Sequence, residues 1–126
     1  MSEMQGSARR LLLVGGDLMA RARVEQVAAG AGIVVELAAP GSLAARLTKA
    51  RDVDLVVLDL DSGGRGLLDE VASAGVAPET RVVGYFSHVD ASLGEAARRA
   101  GCEALPRGRF WRTLPELLRG ESKFGP

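Results

Sequence analysis

The sequence predicts an α/β fold, a single parallel β-sheet with helices packed on both faces. Short apolar runs of strand length alternate along the chain with Ala- and Arg-rich stretches of helical spacing, the pattern of repeated strand–helix units. One run, residues 55–58 (LVVL), has no polar residue, as a strand requires when both faces of its sheet are covered. At 126 residues the chain has room for one domain. A domain of this size buries roughly two-thirds of the surface its unfolded form exposes, so it needs neither disulfides nor metals to hold a core.

Residues 11–14 form the first strand. Asp17 is placed to cap the first helix, with Leu18, Ala20, Val24, Val27 and Ala31 at helical spacing, and Gly30 and Gly32 end it. Residues 33–37 are the second strand. Pro40-Gly41-Ser42 turns the chain, and Ser42 caps a helix carrying Leu43, Ala44 and Leu47 on one side. The third strand, residues 55–58, runs into a Gly-rich loop, followed by a short helix over residues 67–74 that stops at Gly75. Residues 82–86 are the fourth strand, and Asp90 caps a helix over residues 91–100 with Leu93, Ala96, Ala97 and Ala100 on its inner side. Gly101 ends that helix, and residues 102–105 form a short fifth strand. The last helix is marked by Thr113-Leu-Pro-Glu116, which fits a capping box with Pro115 in the first turn. Right-handed crossovers put helices on both faces, and the natural strand order at this length is 2-1-3-4-5, a flavodoxin-like (βα)5 three-layer sandwich. The folded domain spans residues 10–119, between a disordered N-terminal segment, residues 1–9, and a flexible tail, residues 120–126.

Formal net charge is zero, which argues against nucleic acid or an acidic membrane surface as a general partner, because such binding rests on neutralising many phosphates. The basic residues are fourteen Arg against two Lys. A single cysteine, Cys102, allows no internal disulfide and no Cys-based metal cluster, and reads as a small buried hydrophobe. The polar opening MSEMQGSARR has no signal-peptide core, and no stretch reaches membrane-spanning length, so a cytoplasmic protein is the expectation.

The chemistry-bearing stretch is residues 53–64, VDLVVLDLDSGG, an apolar strand that delivers Asp59 to the carboxyl edge of the sheet, where open parallel sheets gather their ligands. Together with VVGYFSH in the fourth strand and AGCEALPRGRF around the fifth, this motif resembles the receiver (CheY-like) domain of two-component response regulators, over about residues 10–118. The resemblance places Asp59 at the phosphoacceptor position and Ser87 at the hydroxyl position. It departs from the family where the chemistry lies. Gly15 and Gly16 stand where receivers carry paired acids, leaving only Asp17 nearby, and the lysine position falls on Gly108, between Arg107 and Arg109. In receivers the acids hold the divalent cation for phosphoryl transfer and the lysine contacts the phosphoryl group. Mg²⁺ can be held through one or two carboxylates plus phosphate oxygens, but losing both acids and the lysine removes much of the charge stabilisation the reaction depends on. The resemblance is therefore to an atypical, or pseudo-, receiver.

Several side chains carry two readings. Asp59 is either a working phosphoacceptor or a strand-end acid that accepts loop amides or pairs with Arg107. Asp61 is expected to order the Ser62-Gly63-Gly64 turn. Asp17 caps a helix or, secondarily, ligates a metal, and Ser87 either senses an acyl phosphate or bonds neighbouring backbone. GGDLMA lacks the G-x-G-x-x-G pattern of a dinucleotide site. The lone His88 is adjacent to Ser87, so the two side chains diverge and form no nucleophile–base couple. Tyr85 belongs to the core or its rim. Arg109, Phe110, Trp111 and Arg112, with Arg107, make the densest basic-aromatic cluster and the candidate interaction surface, Arg and Trp being enriched at interface centres. The alternative for Phe110 and Trp111 is packing of the last helix on the sheet.

The expected function is a phosphorylation-independent, receiver-like signalling or regulatory protein, without enzymatic activity or cofactor. It would contact another protein through the fourth and fifth helices and the fifth strand, and form a homodimer, the commonest closed oligomer. Two alternatives stand beside it: a single-domain response regulator phosphorylated on Asp59 with Mg²⁺, and a small-molecule-binding flavodoxin-like module.

Overall fold

In the computed structural model, which describes residues 9–49, 53–87 and 91–119, five strands and five helices alternate. They are β1 (Arg10–Val14), α1 (Leu18–Gly30), β2 (Val34–Ala38), α2 (Leu43–Lys49), β3 (Val53–Asp59), α3 (Leu60–Ala74), β4 (Arg81–Phe86), α4 (Ala91–Arg99), β5 (Glu103–Pro106) and α5 (Arg107–Leu118). The sheet is parallel throughout with order β2-β1-β3-β4-β5. This is the flavodoxin-like arrangement predicted from the sequence. The terminal segments, His88 and Asp90 lie outside the described residues. Arg9, assigned to the N-terminal segment on sequence, is tied in: its guanidinium donates to Leu118 O and its carbonyl accepts from Val34 N.

Side-chain alternation along the strands divides the core into two layers. Leu11, Leu13, Leu55, Val57, Val83 and Tyr85 meet Val24 and Ala28 of α1 and Phe110, Leu114 and Leu117 of α5. Leu12, Val14, Val56, Leu58 and Val82 meet Leu43 of α2, Leu67, Leu68 and Val71 of α3 and Ala97 of α4. Cys102 is buried in this second layer, as a small hydrophobe would be. Burial and the nearby Glu103 charge push its thiol pKa up to about 12.

The helix ends depart from the sequence reading in three places. Ser42 precedes α2 as expected, its carbonyl accepting from Arg46 N and its hydroxyl donating back to Ala39 O. The departure is an added long-range partner: the two oxygens of Glu70 on α3 accept from Gly41 N at 2.6 Å and Leu43 N at 3.2 Å. α3 begins at Leu60, because Asp59 caps it through Asp61 N; the expected Gly-rich loop is its first turn, broken at Gly64 (φ 52°, ψ −132°). α5 starts at Arg107, immediately after Pro106, with no side-chain cap. Thr113 is therefore inside the helix, donating to Arg109 O, and Pro115 interrupts the helix rather than opening it. The αL conformation of Gly75 ends α3 as predicted. In α1, Ala20, Val24 and Ala28 are buried, but Leu18 is 80% exposed, contrary to its expected inward place. It precedes Ala20, the first buried position of the helix, by half a turn.

Candidate functional site

The carboxyl edge of the sheet carries the candidate site. β3 places Asp59 beside Tyr85 of β4 in register, and Asp59 is the buried charged residue of the described core, 4% exposed. Its Oδ1 accepts from Asp61 N at 3.0 Å and its carbonyl accepts from Ser62 Oγ at 3.1 Å. This carboxylate is thus a helix cap facing into packed protein.

Its expected partner has gone elsewhere. Arg107 pairs with Asp61, donating from Nη1 to Oδ2 at 2.8 Å. The same carboxylate accepts from Ser87 N at 2.9 Å and Ser87 Oγ at 2.7 Å. Asp61 therefore fastens the start of α3 to the end of β4 and the start of α5, instead of ordering its own turn. Ser87 correspondingly bonds this side chain, not the backbone near it. Burial pushes the Asp61 carboxyl pKa up, but the Ser87 hydrogen bonds and the Arg107 charge outweigh it and hold the group below its ordinary 3.8.

Gly15 and Gly16 do not leave a hollow beside Asp59. Both have positive φ, 82° and 88°, and a Cβ on Gly15 would lie 2.7 Å from Ser62 Oγ. Beside Gly16 stands the Tyr85 hydroxyl, 3.7 Å from where a Cβ would be. Tyr85 is fully buried, and its hydroxyl completes no hydrogen bond among the described residues. Burial, and then the charge of Asp59, push its phenol well above the usual range. The ring is held by Phe110 at 4.8 Å and Trp111 at 5.7 Å, with the Arg107 guanidinium 5.0 Å above it. An aromatic side chain and a serine occupy the space next to the acid.

The carboxylates near the sheet edge are drawn into structural bonds. Asp17 caps α1, its Oδ1 accepting from Ala20 N at 2.8 Å, and Asp59 and Asp61 are committed as described. Among the described residues no group of three or more His, Cys, Asp or Glu side chains could hold a metal ion.

The basic-aromatic cluster divides between core and surface. Phe110 is completely buried in the layer under β4, so it presents no surface; at the inward position of an amphipathic helix a phenyl ring packs on the sheet. Trp111 is half-buried toward α1, with the Arg23 guanidinium 4.6 Å over its ring. Arg109 and Arg112 are exposed. Sequence reasoning missed Asp61, Tyr85 and Ser62 as the residues that shape the site. The available signal was parity: Asp61 begins a helix if Asp59 is its cap, and Tyr85 pairs with Asp59 once β3 and β4 are aligned.

The comparisons agree with this architecture. The chain is similar to the crystal structure of a pilus assembly-related protein from Burkholderia pseudomallei, with a TM-score of 0.72 and 16% identity over 90% of this chain and 89% of that one. It is also similar to a pilus assembly protein (CpaE) from Burkholderia thailandensis, with a TM-score of 0.61 and 17% identity over 90% of this chain and 96% of that one. No family model matches, and no curated protein matches. No helix among the described residues is long and apolar enough to cross a membrane. The chain has the (βα)5, flavodoxin- and CheY-like fold, with strand order 2-1-3-4-5.

Proposed function

We propose that this chain is a receiver-like signalling or regulatory module that acts by contact with another protein and does not depend on phosphorylation. One observation carries the reading. The Asp61 carboxylate holds the Ser87 hydroxyl, the Ser87 amide and the Arg107 guanidinium; the receiver resemblance places Ser87 at the phosphoryl-sensing hydroxyl position, and Arg107 is the neighbour of Gly108, where the family's lysine falls. A permanent carboxylate thus engages the donors that a phosphoryl group on Asp59 would recruit, and the switch is fixed in one state. The glycines in place of paired acids, the Tyr85 ring beside them and the capping duty of Asp59 support the same reading, in which the chain catalyses no turnover. A cytoplasmic setting and a two-fold homodimer belong to this proposal. The pilus-assembly names of the two similar structures make assembly proteins of that kind the first baits to try.

The test is partner capture by tagged wild type and Asp59→Asn, each with and without a small-molecule phosphodonor and Mg²⁺. The reading expects the same partners in the same amounts in all four samples. A partner recovered only by treated wild type would overturn it.

A further inference from the structure

We infer that the groove between the first turns of α1 and α5 is a docking site for an acidic, apolar segment of a partner protein. The inference rests on the interaction reading above and gives it a place and a chemistry. The groove has a volume of about 240 Å³ and is lined by Asp17, Met19, Ala20, Arg23, Arg107 and Trp111.

Two observations define its occupant. Met19, on the groove wall, is 82% exposed, and Leu18 before it is 80% exposed, the largest exposures among the described large hydrophobic residues. Neighbouring exposed apolar side chains of this size mark a contact surface, and methionine adapts its shape to what it meets. The second observation is charge. The Arg23 guanidinium lies over Trp111 and has no carboxylate partner among the described residues. Arg21 spends its Nε on Gly16 O and likewise carries no ion pair there. Asp17, the acid on the groove wall, has one oxygen committed to Ala20 N. The groove therefore offers an apolar lip, an aromatic wall and an unneutralised guanidinium already flattened against that wall. Such a guanidinium presents its edge donors to a carboxylate in a fixed geometry. A segment with one or more Asp or Glu beside Leu, Ile or Phe is complementary; a basic segment is not.

Trp111 is the sole tryptophan and lines the groove, so its fluorescence responds to an occupant there. The experiment titrates the full chain, in low salt, with a short capped peptide of alternating Glu and Leu, and with versions carrying Gln or Lys in place of Glu. The acidic peptide is expected to change the Trp111 emission saturably, to bind about tenfold more tightly than the Gln version, and to weaken with added salt. Met19→Asp and Arg23→Glu should each weaken it about tenfold or more, while Arg98→Glu, on α4, leaves it unchanged. Because Arg23 touches the reporter, Met19→Gln serves as a second variant, and circular dichroism checks that each protein is folded. Equal binding of all three peptides, binding of none, or full affinity in the Met19 variants would overturn the inference. So would a concentration-dependent dimer, seen by sedimentation and lost in Met19→Asp, since the groove would then belong to a second copy. A phosphoryl adduct on Asp59 would instead strike the phosphorylation-independent reading and leave the groove standing.

Discussion

Asp61 shows how one carboxylate can decide what a familiar site does. It accepts three hydrogen bonds from two other elements, one of them from a guanidinium. Asp61→Asn keeps the shape but loses the charge, and should cost about 1–2 kcal/mol in urea unfolding, within the usual range for hydrogen bonds to charged groups. The pH dependence follows from the direction of its shift. With its folded pKa below the ordinary 3.8, Asp61 contributes stability that is present above that value and lost as pH falls through the folded pKa. Acid unfolding of wild type should therefore be steeper below pH 3.8 than that of Asp61→Asn. Tyr85 makes the opposite case. Its buried hydroxyl completes no hydrogen bond among the described residues, so Tyr85→Phe should leave thermal stability unchanged or raise it by up to about 1 kcal/mol, read as a small rise in Tm. Asp59 and Ser87 were legible in the sequence as strand-end groups, and Asp17 as a helix cap. The bonding of Asp61 was not, because residues 26 and 46 positions apart meet only after the sheet has formed.

At the scale of elements, the central strands β1, β3 and β4 were readable because their apolar runs are nearly continuous, as burial on both faces requires. Helix ends were harder, since the groups that satisfy them can come from far away in the chain. Glu70 reaches from α3 to two backbone amides at the start of α2, a contact that a local reading centred on Ser42 does not foresee. Glu70→Ala should therefore destabilise the protein by about 1 kcal/mol, the usual value of a helix cap, while Ser42→Ala changes less. The capping-box pattern at Thr113 misled for a related reason. The chain enters α5 directly from β5, so the helix is already under way when Thr113 and Pro115 arrive, and Thr113 bonds back to Arg109 O. Phe110 and Trp111 are neighbours in sequence, yet the turn of α5 sends one under the sheet and the other toward α1.

Across the whole molecule, the order β2-β1-β3-β4-β5 follows from length, strict alternation of elements and right-handed crossovers, all visible in the sequence. The same topology gathers Asp59, Asp61, Tyr85, Ser87 and Arg107 at one edge from the ends of β3 and β4 and the starts of α3 and α5. That edge is where such sheets do their work, and here it is closed by side chains of the protein itself. On the proposed function, this closure makes phosphorylation of Asp59 unnecessary and keeps a phosphodonor from it. Intact-mass measurement after incubation with a small phosphodonor and Mg²⁺ tests it most directly. The protein is predicted to keep its unmodified mass under conditions that label an ordinary receiver. A phosphoryl adduct on wild type that disappears in Asp59→Asn would contradict the claim.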